Sequence, residues 1–429
     1  MKTRKIPKLL LLKGGTVLDP LKETSAKKDI LIKNGKIESV DKSISSKSAE
    51  ILDCAGKIIT HGFCDVHVHF REPGREDKET LATGSQAALA GGFTRVCVMP
   101  NTNPPLDSPE SIRFIVEKAE ECPIFIHPIG AVTKGQNGTE ITEMSAMARE
   151  GAIAFSDDGL PITNAVVMRR ALEYASMLHM PIINHAEDVD LRDDGVMNEG
   201  ETSLKLGLDG NTSLSESIMV FRDLELAQLA NTSVHIPHVS TKESALHVAA
   251  AKKKGASVTA EVTPHHLYFN DEALKSYDTN FKVAPPLRSE TDRKALVKAV
   301  ISGAIDCIAT DHAPHTIEEK EATFAHAPFG MIGLESCFAA VNTILKEEKK
   351  YSLLNLIKLL TVNPRKIFGF ETDLLKDGVD AELVIIDPAE KWKFTEDSIY
   401  SRSSNSPFTG ETFTGKVSAT LVLNQVSEL

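Results

Sequence analysis

Apolar and polar positions alternate in short runs at both ends of the chain, with turn residues between the runs. Leu9–Leu12 precedes a Gly-Gly pair, and an Asn-Gly pair farther on favours a hairpin. Near the other end, Ala381–Asp387 and Lys416–Leu423 are also strand-like. We therefore predict one small β-sandwich domain built from residues 1–60 and 375–429, with two unrelated terminal extensions as the alternative.

The middle of the chain alternates β-rich runs with helical stretches, which is typical of a (β/α)8 TIM-like barrel. The predicted strands are Phe63–Phe70, Thr94–Met99, Ile124–Ile129, Ala152–Ser156, Pro181–His185, Ser233–His238, Ser257–Val262 and Asp306–Asp311. The predicted helices include Glu79–Ala90, Ser108–Lys118, Asn164–Leu178, Ser213–Leu229, Thr241–Lys254 and Glu290–Ile301. We assign the α/β barrel to residues 61–374. An open doubly wound sheet is the alternative, weakened because no Gly-x-Gly-x-x-Gly turn follows the first strand.

Composition narrows the partners of the chain. Its 429 residues carry a formal net charge of −12, which argues against nucleic acid or an anionic membrane as the main partner. A small anionic substrate in a locally positive pocket remains compatible with that charge. The six cysteines are scattered, and no apolar run approaches the ~18 residues of a membrane span, so we expect reduced thiols and a cytoplasmic protein.

The first barrel strand carries a His-x-His pair, His67 and His69. Residues two apart on a strand share a face, so both imidazoles can meet one ion. Two partly exposed strand histidines would be the alternative. Further candidate ligands lie at the ends of other predicted strands, where barrel active sites form: Asp157-Asp158, His185, His238 and Asp311.

This donor set indicates a metal site. Nitrogen and carboxylate ligands without sulfur suit zinc, with manganese or cobalt as substitutes. Six donors exceed the need of one catalytic ion, and two ions bridged by a carboxylate and by water fit the number better. Such a site would provide a hydroxide at neutral pH and a Lewis acid for a carbonyl oxygen.

Several motifs together resemble the class I dihydroorotases of the amidohydrolase superfamily. They are Asp65-Val66-His67-Val68-His69-Phe70-Arg71-Glu72-Pro73-Gly74, Met99-Pro100-Asn101-Thr102, Phe155-Ser156-Asp157-Asp158-Gly159, Asn184-His185-Ala186-Glu187, His238-Val239-Ser240-Thr241, Ala309-Thr310-Asp311-His312-Ala313-Pro314-His315 and Ala327-Pro328-Phe329-Gly330. The resemblance runs through the whole barrel and includes both β-rich ends. It implies the reversible cyclisation of N-carbamoyl-L-aspartate to dihydroorotate, a step of pyrimidine biosynthesis.

The resemblance also implies roles for single residues. The implied metal ligands are His67, His69 and Asp311 on a first zinc, His185 and His238 on a second, and Asp158 bridging both. Asp158 is preferred to Asp157 for its spacing to His185, and Asp311 is the implied general acid/base. The implied substrate contacts are His69, Arg71, Asn101, His315 and the backbone around Phe329 and Gly330. An Arg fork suits a planar carboxylate, in agreement with the role of Arg71.

Two departures from the family pattern stand out. Ala284 precedes Pro285-Pro286-Leu287-Arg288, where the family commonly has an Asn that contacts the substrate. That hydrogen bond, worth about 0.5–1.5 kcal/mol, is absent or supplied elsewhere. No Lys lies in 154–159, where many relatives bridge the metals with a carboxylated Lys, so Asp158 takes the bridging place.

Alternative functions and partners follow from the same motifs. A hydantoinase, dihydropyrimidinase or allantoinase would share the metals, but its substrate would leave Arg71 and Asn101 without a purpose. A non-catalytic scaffold for aspartate transcarbamoylase would be expected to lack ligands. A homodimer and an association with that transcarbamoylase are both compatible with the resemblance. We expect no direct metal contact from His265, His266 or His312, and we interpret 190–211 and 315–327 as loops suited to be lids.

Overall fold

The computed structural model describes residues 1–429, except for the side chain of Glu348. The strands are β1 (Lys2–Lys5), β2 (Leu9–Lys13), β3 (Thr16–Asp19), β4 (Thr24–Lys27), β5 (Asp29–Lys33), β6 (Lys36–Asp41), β7 (Glu50–Asp53), β8 (Ile58–His61), β9 (Phe63–Val68), β10 (Phe93–Val98), β11 (Phe125–Pro128), β12 (Phe155–Ser156), β13 (Ile182–Ile183), β14 (Met197–Asn198), β15 (Gly210–Asn211), β16 (Val234–Ile236), β17 (Val258–Val262), β18 (Cys307–Ile308), β19 (Leu383–Lys393), β20 (Thr412–Val422) and β21 (Gln425–Glu428). The α-helices are α1 (Leu81–Gly91), α2 (Pro109–Ala119), α3 (Met144–Arg149), α4 (Ala165–Leu178), α5 (Val189–Arg192), α6 (Glu201–Leu206), α7 (Ser213–Ala230), α8 (Lys242–Lys253), α9 (Pro264–Tyr268), α10 (Glu290–Ser302), α11 (Ile317–Lys320), α12 (Cys337–Val341), α13 (Leu353–Leu360) and α14 (Val362–Ile367). Short 3-10 helices lie at Lys134–Gln136, Asp271–Ser276, Thr279–Phe281 and Glu396–Ser398, and a π-helical stretch at Asn342–Glu348.

The middle of the chain forms a closed parallel barrel. Strands β9, β10 and β11 form one parallel run, and β12, β13, β16, β17 and β18 form the other. Parallel bridges from Gly130 to Phe155 and from Val68 to His312 join the two runs at both edges. All of β9 is buried, as expected for a barrel strand covered by helices outside and side chains inside. Each predicted strand overlaps one of these barrel strands.

The barrel helices begin and end at side chains suited to those positions. Thr80 caps α1 by accepting the backbone N–H of Thr83, and Gly92 ends the helix in the left-handed conformation at φ +87°. Ser108 caps α2, whose first residue is Pro109. The six predicted helices correspond to α1, α2, α4, α7, α8 and α10. These capping residues set both ends of α1 and the start of α2.

Strands from both ends of the chain form two further sheets. One sheet has the order β1-β21-β20-β19-β8-β3-β4, and the other has the order β6-β5-β2-β7. Leu10 and Ile30 of the second sheet share a core with Ile59, Leu383 and Leu421 of the first. The first and last strands of the chain, β1 and β21, pair directly. The boundaries at residues 60, 61, 374 and 375 stay a prediction.

A segment between β19 and β20 returns to the barrel. We call residues 394–411 the return segment. Its Phe394 and Phe408 pack with Ala339 and Ala340 of α12. The side chain of Asn405 reaches the loop after β18, where Nδ2 donates to the carbonyl oxygens of Ala313 (3.1 Å) and Gly330 (3.2 Å). This part of the predicted terminal domain therefore helps to shape one end of the barrel.

The two predicted loops contain short regular elements. Residues 190–211 include part of α5, all of α6 and the parallel pair of β14 with β15. Residues 315–327 include α11. Their short lengths carry too little periodicity to be recognised in the sequence.

The six cysteines are buried and carry free thiols. Burial raises the pKa of the Cys64 thiol to about 12, so this group acts as a small apolar side chain.

Among the described residues, no helix combines the length and the apolar character that crossing a membrane requires.

Candidate metal centre

Four predicted ligands meet at the carboxyl end of β9 and β18. The Nε2 atoms of His67 and His69 lie 3.2 Å apart. Asp311 Oδ1 is 2.9 Å from His69 Nε2 and 3.5 Å from His67 Nε2. Asp158 Oδ2 is 3.4 Å from each of these two nitrogens. Two imidazoles and two carboxylates therefore surround one point, which we call the first group.

A second group forms on the other side of Asp158. His185 Nδ1 is 3.0 Å from His238 Nε2. Asp158 Oδ1 lies 3.2 Å from His238 Nε2 and 3.6 Å from His185 Nδ1. Asp158 thus presents one oxygen to each group, as a bridging carboxylate does. Asp157 turns away, because Oδ1 accepts the backbone N–H groups of Val132 and Thr133.

Backbone conformation holds two of these ligands in unusual positions. His238 has a φ of +33° and Asp311 a φ of +50°, in the left-handed region that residues with side chains rarely adopt. Both follow barrel strands at the carboxyl end of the sheet. Strain of this kind clusters at functional sites.

The ligand side chains stabilise each other as ions. Burial alone would lower the pKa of His185, but the charges of Asp158 and Glu187 raise it to about 10. Burial would raise the pKa of Asp158, yet His67, His185 and His238 hold it well below its usual range. Carboxylates that attract protons onto neighbouring imidazoles also attract a metal cation in exchange for those protons.

Hydrogen bonds behind the first group set the orientation of its histidines. Glu261, at the end of β17, places Oε1 2.6 Å from His67 Nδ1 and Oε2 3.0 Å from His235 Nε2. Asn101 Oδ1 lies 2.8 Å from His69 Nδ1. Both ligand imidazoles therefore keep their Nδ1 protons and turn Nε2 toward the site.

Glu261 was not among the predicted site residues. Its signal in the sequence is a single carboxylate inside the buried strand β17, where an ionised group needs a partner. His235, Glu261 and Cys307 together form a third group of closely spaced donors. Both oxygens of Glu261 already accept hydrogen bonds, so we interpret this group as a support of His67.

The two groups open into a cavity of about 330 Å³. Its walls include the predicted substrate residues His69, Arg71, Asn101, His315, Phe329 and Gly330. They also include Ala284, the departure from the family pattern, and residues to which the sequence assigned no role: Gly159, Glu187, Arg192, Ala313 and Pro328. The predicted metal and substrate residues therefore adjoin in one place.

On one wall of the cavity, Arg71 and His315 lie together. Arg71 Nε donates to the Pro314 carbonyl at 3.2 Å, and burial lowers the pKa of Arg71 to about 10, which leaves it charged at neutral pH. His315 Nε2 donates to the Phe329 carbonyl at 2.8 Å. Burial and the charges of Arg71 and Lys78 lower the pKa of His315 to about 2, so its imidazole is neutral.

The loop that carries His315 and Gly330 is fastened to its surroundings by buried lysines. Lys282 Nζ donates to the Phe324 and Ala325 carbonyls, both at 2.8 Å. Lys320 Nζ donates to the Pro328 carbonyl at 2.9 Å. Gly330 has a φ of +131°, and a Cβ there would lie 2.8 Å from the Cβ of Ala313, so the loop can approach its neighbour only with glycine.

The remaining histidines near the barrel rim point elsewhere. His312 Nε2 lies 3.3 Å from Glu79 Oε2, away from both groups. His266 Nε2 donates to the Pro285 carbonyl at 3.0 Å. His265 is fully buried, and neither of its ring nitrogens has a hydrogen-bond partner among the described residues.

Comparison with known proteins identifies the family. Residues 56–244 match the family model described as dihydro-orotase-like. The chain is 45% identical over 417 residues to the dihydroorotase of Pelotomaculum thermopropionicum, covering 97% of this chain and 98% of that protein. It is 42% identical over 418 residues to the dihydroorotase of a Thermoanaerobacter species, covering 97% and 96%. This chain belongs to the dihydroorotase family.

Solved structures support the fold of this dihydroorotase family member. The dihydropyrimidinase of Brevibacillus agri superimposes with a TM-score of 0.85 at 21% identity, covering 96% of this chain and 94% of that chain. The L-hydantoinase of Arthrobacter aurescens gives 0.84 at 23% identity with the same coverage. At these identities the likeness concerns the fold, and it confirms the predicted barrel with a β-sandwich.

Membership of the dihydroorotase family makes the protein an enzyme that hydrolyses a cyclic amide and acts on a small molecule. The two groups of donors around Asp158 indicate that it binds a metal ion. The roles of the individual ligands and substrate contacts stay predictions.

Proposed function

We propose that the chain catalyses the reversible cyclisation of N-carbamoyl-L-aspartate to dihydroorotate, using two zinc ions. The observation that supports this proposal most directly is the bridging geometry of Asp158. One of its oxygens lies 3.2 Å from His238 Nε2, and the other lies 3.4 Å from the Nε2 atoms of His67 and His69. Beside it, the cavity walled by Arg71 provides a place for a substrate carboxylate.

The donor set fits zinc. Imidazole nitrogens and carboxylate oxygens are its usual ligands where sulfur is absent. Glu261 and Asn101 hold the Nδ1 protons of His67 and His69, which leaves Nε2 as the donor atom in each. When bound, the ions would lower the pKa of a water molecule and polarise a carbonyl oxygen.

Asp311 is the proposed proton carrier. Its carboxylate lines the cavity and lies next to His69. During hydrolysis, Asp311 would take a proton from the attacking water and deliver it to the amide nitrogen that leaves. Ring closure requires the same carboxyl group in its protonated form, so one residue serves both directions.

Arg71 and Asn101 are proposed to hold the substrate's α-carboxylate. The Arg71 guanidinium is charged, and its Nε donates to the Pro314 carbonyl, which leaves its Nη donors for a ligand. Asn101 Oδ1 accepts from His69 Nδ1, which leaves the amide N–H groups of Asn101 for a ligand in the cavity. His315 supports this wall by bonding to Phe329 and lying 3.4 Å from Arg71 Nη2.

Local charge favours an anionic substrate over a neutral one. The chain has a net charge of −12, yet Arg71, Lys78 and Lys282 lie at or close to the cavity. N-carbamoyl-aspartate carries two carboxylates, whereas hydantoin and dihydrouracil carry none. With two divalent ions offsetting the carboxylates of Asp158, Glu187 and Asp311, the cations on the cavity wall would concentrate such an anion at the site.

A substrate comparison tests the proposal. Purified zinc-loaded protein is assayed for ring opening of dihydroorotate, hydantoin and dihydrouracil, and for ring closure of N-carbamoyl-aspartate. We expect turnover of dihydroorotate and N-carbamoyl-aspartate, with about two zinc ions per chain by elemental analysis. Preference for hydantoin, or full activity without metal, would overturn the proposal.

Assembly and location are separate predictions. Size-exclusion chromatography with light scattering tests the homodimer, and co-purification tests the association with aspartate transcarbamoylase. Cell fractionation tests the cytoplasmic location. The substrate assay depends on none of these outcomes.

A further inference from the structure

The cavity wall also carries a pair of residues without an assigned role, Arg192 and Glu187. Arg192 is the last residue of α5, and Glu187 follows the ligand His185 by two positions. Arg192 Nε is buried and has no hydrogen-bond partner among the described residues. Glu187 Oε2 lies 3.6 Å from Arg192 Nη1, close enough for an ion pair but too far for a hydrogen bond.

Glu187 also has an oxygen to spare. Oε1 accepts the Asn211 amide at 2.9 Å, whereas Oε2 lies 3.8 Å from His185 Nε2 and 3.6 Å from Arg192 Nη1. No donor of the described residues lies within hydrogen-bond distance of Oε2, so this oxygen can accept from a bound molecule. The pair therefore offers a donor and an acceptor side by side on the cavity wall.

Resting on the proposed function, we propose that Arg192 and Glu187 recognise the ureido group shared by N-carbamoyl-aspartate and dihydroorotate. The reacting carbonyl belongs at Asp158 and the α-carboxylate at Arg71, so the ureido group is the polar part of the substrate that remains. It presents a carbonyl oxygen next to N–H groups. Arg192 donates to that carbonyl, and Glu187 accepts from an adjacent N–H.

Two features of the wall favour a ureido group over a second carboxylate. Glu187 Oε2, beside Arg192 and without a hydrogen-bond donor, can accept an N–H, and a second carboxylate has no N–H to donate to it. Ala284, on the same cavity, has a methyl side chain that can make no hydrogen bond to the substrate. Arg192 therefore supplies a contact that position 284 does not provide.

The test compares a substrate with a dicarboxylate that lacks the ureido group. In Arg192→Leu, we expect the KM for N-carbamoyl-aspartate to rise by roughly tenfold or more, since the lost bond comes from a charged donor. Because the ureido group persists in the ring, the KM for dihydroorotate should also rise. The inhibition constant of succinate, which has no ureido group, should stay unchanged, as should the zinc content.

Lys205→Gln is the matched control, because Lys205 is an exposed cation on α6 that pairs with Glu201. It removes one positive charge that is not part of the cavity wall and should leave both constants unchanged. An unchanged KM in Arg192→Leu would overturn the inference. So would an equal rise in the inhibition constant of succinate, which would make Arg192 a carboxylate ligand, or an equal effect of Lys205→Gln. Failure of the wild-type protein to convert dihydroorotate would instead overturn the proposed function.

Discussion

Replacing Glu261 should weaken zinc binding without touching any predicted ligand. Its two oxygens accept from His67 Nδ1 (2.6 Å) and His235 Nε2 (3.0 Å), and Oε1 also accepts the backbone N–H of His238 at 3.3 Å. Leucine at this position keeps a similar volume and removes every acceptor. His67 then has no group that holds its Nδ1 proton in place, so its orientation toward the metal is no longer fixed.

The expected loss of zinc affinity in Glu261→Leu depends on which of the lost hydrogen bonds affects metal binding. A buried donor left without a partner costs about 1–3 kcal/mol. The losses at His235 and His238 N–H affect the metal-free and metal-bound protein alike, so they lower stability and largely cancel in metal affinity. The loss at His67 does not cancel, because this imidazole must be held toward the ion in the metal-bound protein and is free to turn without it. At about 1.4 kcal/mol per factor of ten, that loss corresponds to roughly 5–150-fold weaker zinc binding.

Glu261→Gln should give a smaller loss, about tenfold or less. Its amide oxygen can still accept from His67, and its NH2 group can donate to His235 once the other ring nitrogen of His235 donates to Thr259, 2.8 Å away. Shape and bonding survive, and the charge is lost. The glutamine variant also keeps the test usable if the leucine variant does not fold.

Competition against a chelator of known zinc affinity measures the effect, with thermal unfolding of the metal-free proteins as the check on folding. Glu382→Gln is the control, because Glu382 is also a buried carboxylate that accepts from Thr94 at 2.8 Å and pairs with Arg365, which no predicted ligand contacts. The reasoning is refuted if folded Glu261→Leu binds zinc as tightly as the wild-type protein, or if Glu382→Gln weakens binding equally.

Three further outcomes are expected. Asp311→Asn should keep zinc at the group formed by Asp158, His185 and His238 and lose at least ~10²-fold in turnover, measured by initial rates with metal analysis; near-normal turnover with both metals bound would exclude Asp311 as the proton carrier. Arg71→Lys keeps the charge but loses the fork, so the KM for dihydroorotate should rise while zinc content stays constant; unchanged kinetics would remove Arg71 from the carboxylate site. Chelation should abolish activity and added zinc should restore it, and activity that survives complete metal removal would contradict the metal proposal.

The sequence predicted the barrel and the positions of its candidate metal ligands because both depend on local patterns. Parallel strands buried on both faces appear as apolar runs, and capped helices appear between them. A ligand at the end of a strand is then placed at the barrel rim by the fold itself. His67, His185, His238 and Asp311 could all be located in this way without knowledge of their neighbours.

Residues whose partners depend on packing could not be predicted. Glu261 lies in β17, and its meeting with His67 depends on how distant strands adjoin inside the barrel. Arg192 ends a helix of only four residues, too short to show a period. Asn405 meets the loop at Gly330 through the return segment, which the sequence placed with the terminal sheets.

The position of Asn405 also separates the two parts of the site along the chain. All six predicted ligands precede residue 312, whereas Asn405, whose Oδ1 accepts the backbone N–H of His315 at 3.0 Å, lies about 90 residues farther on. A chain that ends before the return segment would therefore keep every predicted ligand and lose the clamp on the wall that carries His315 and Gly330.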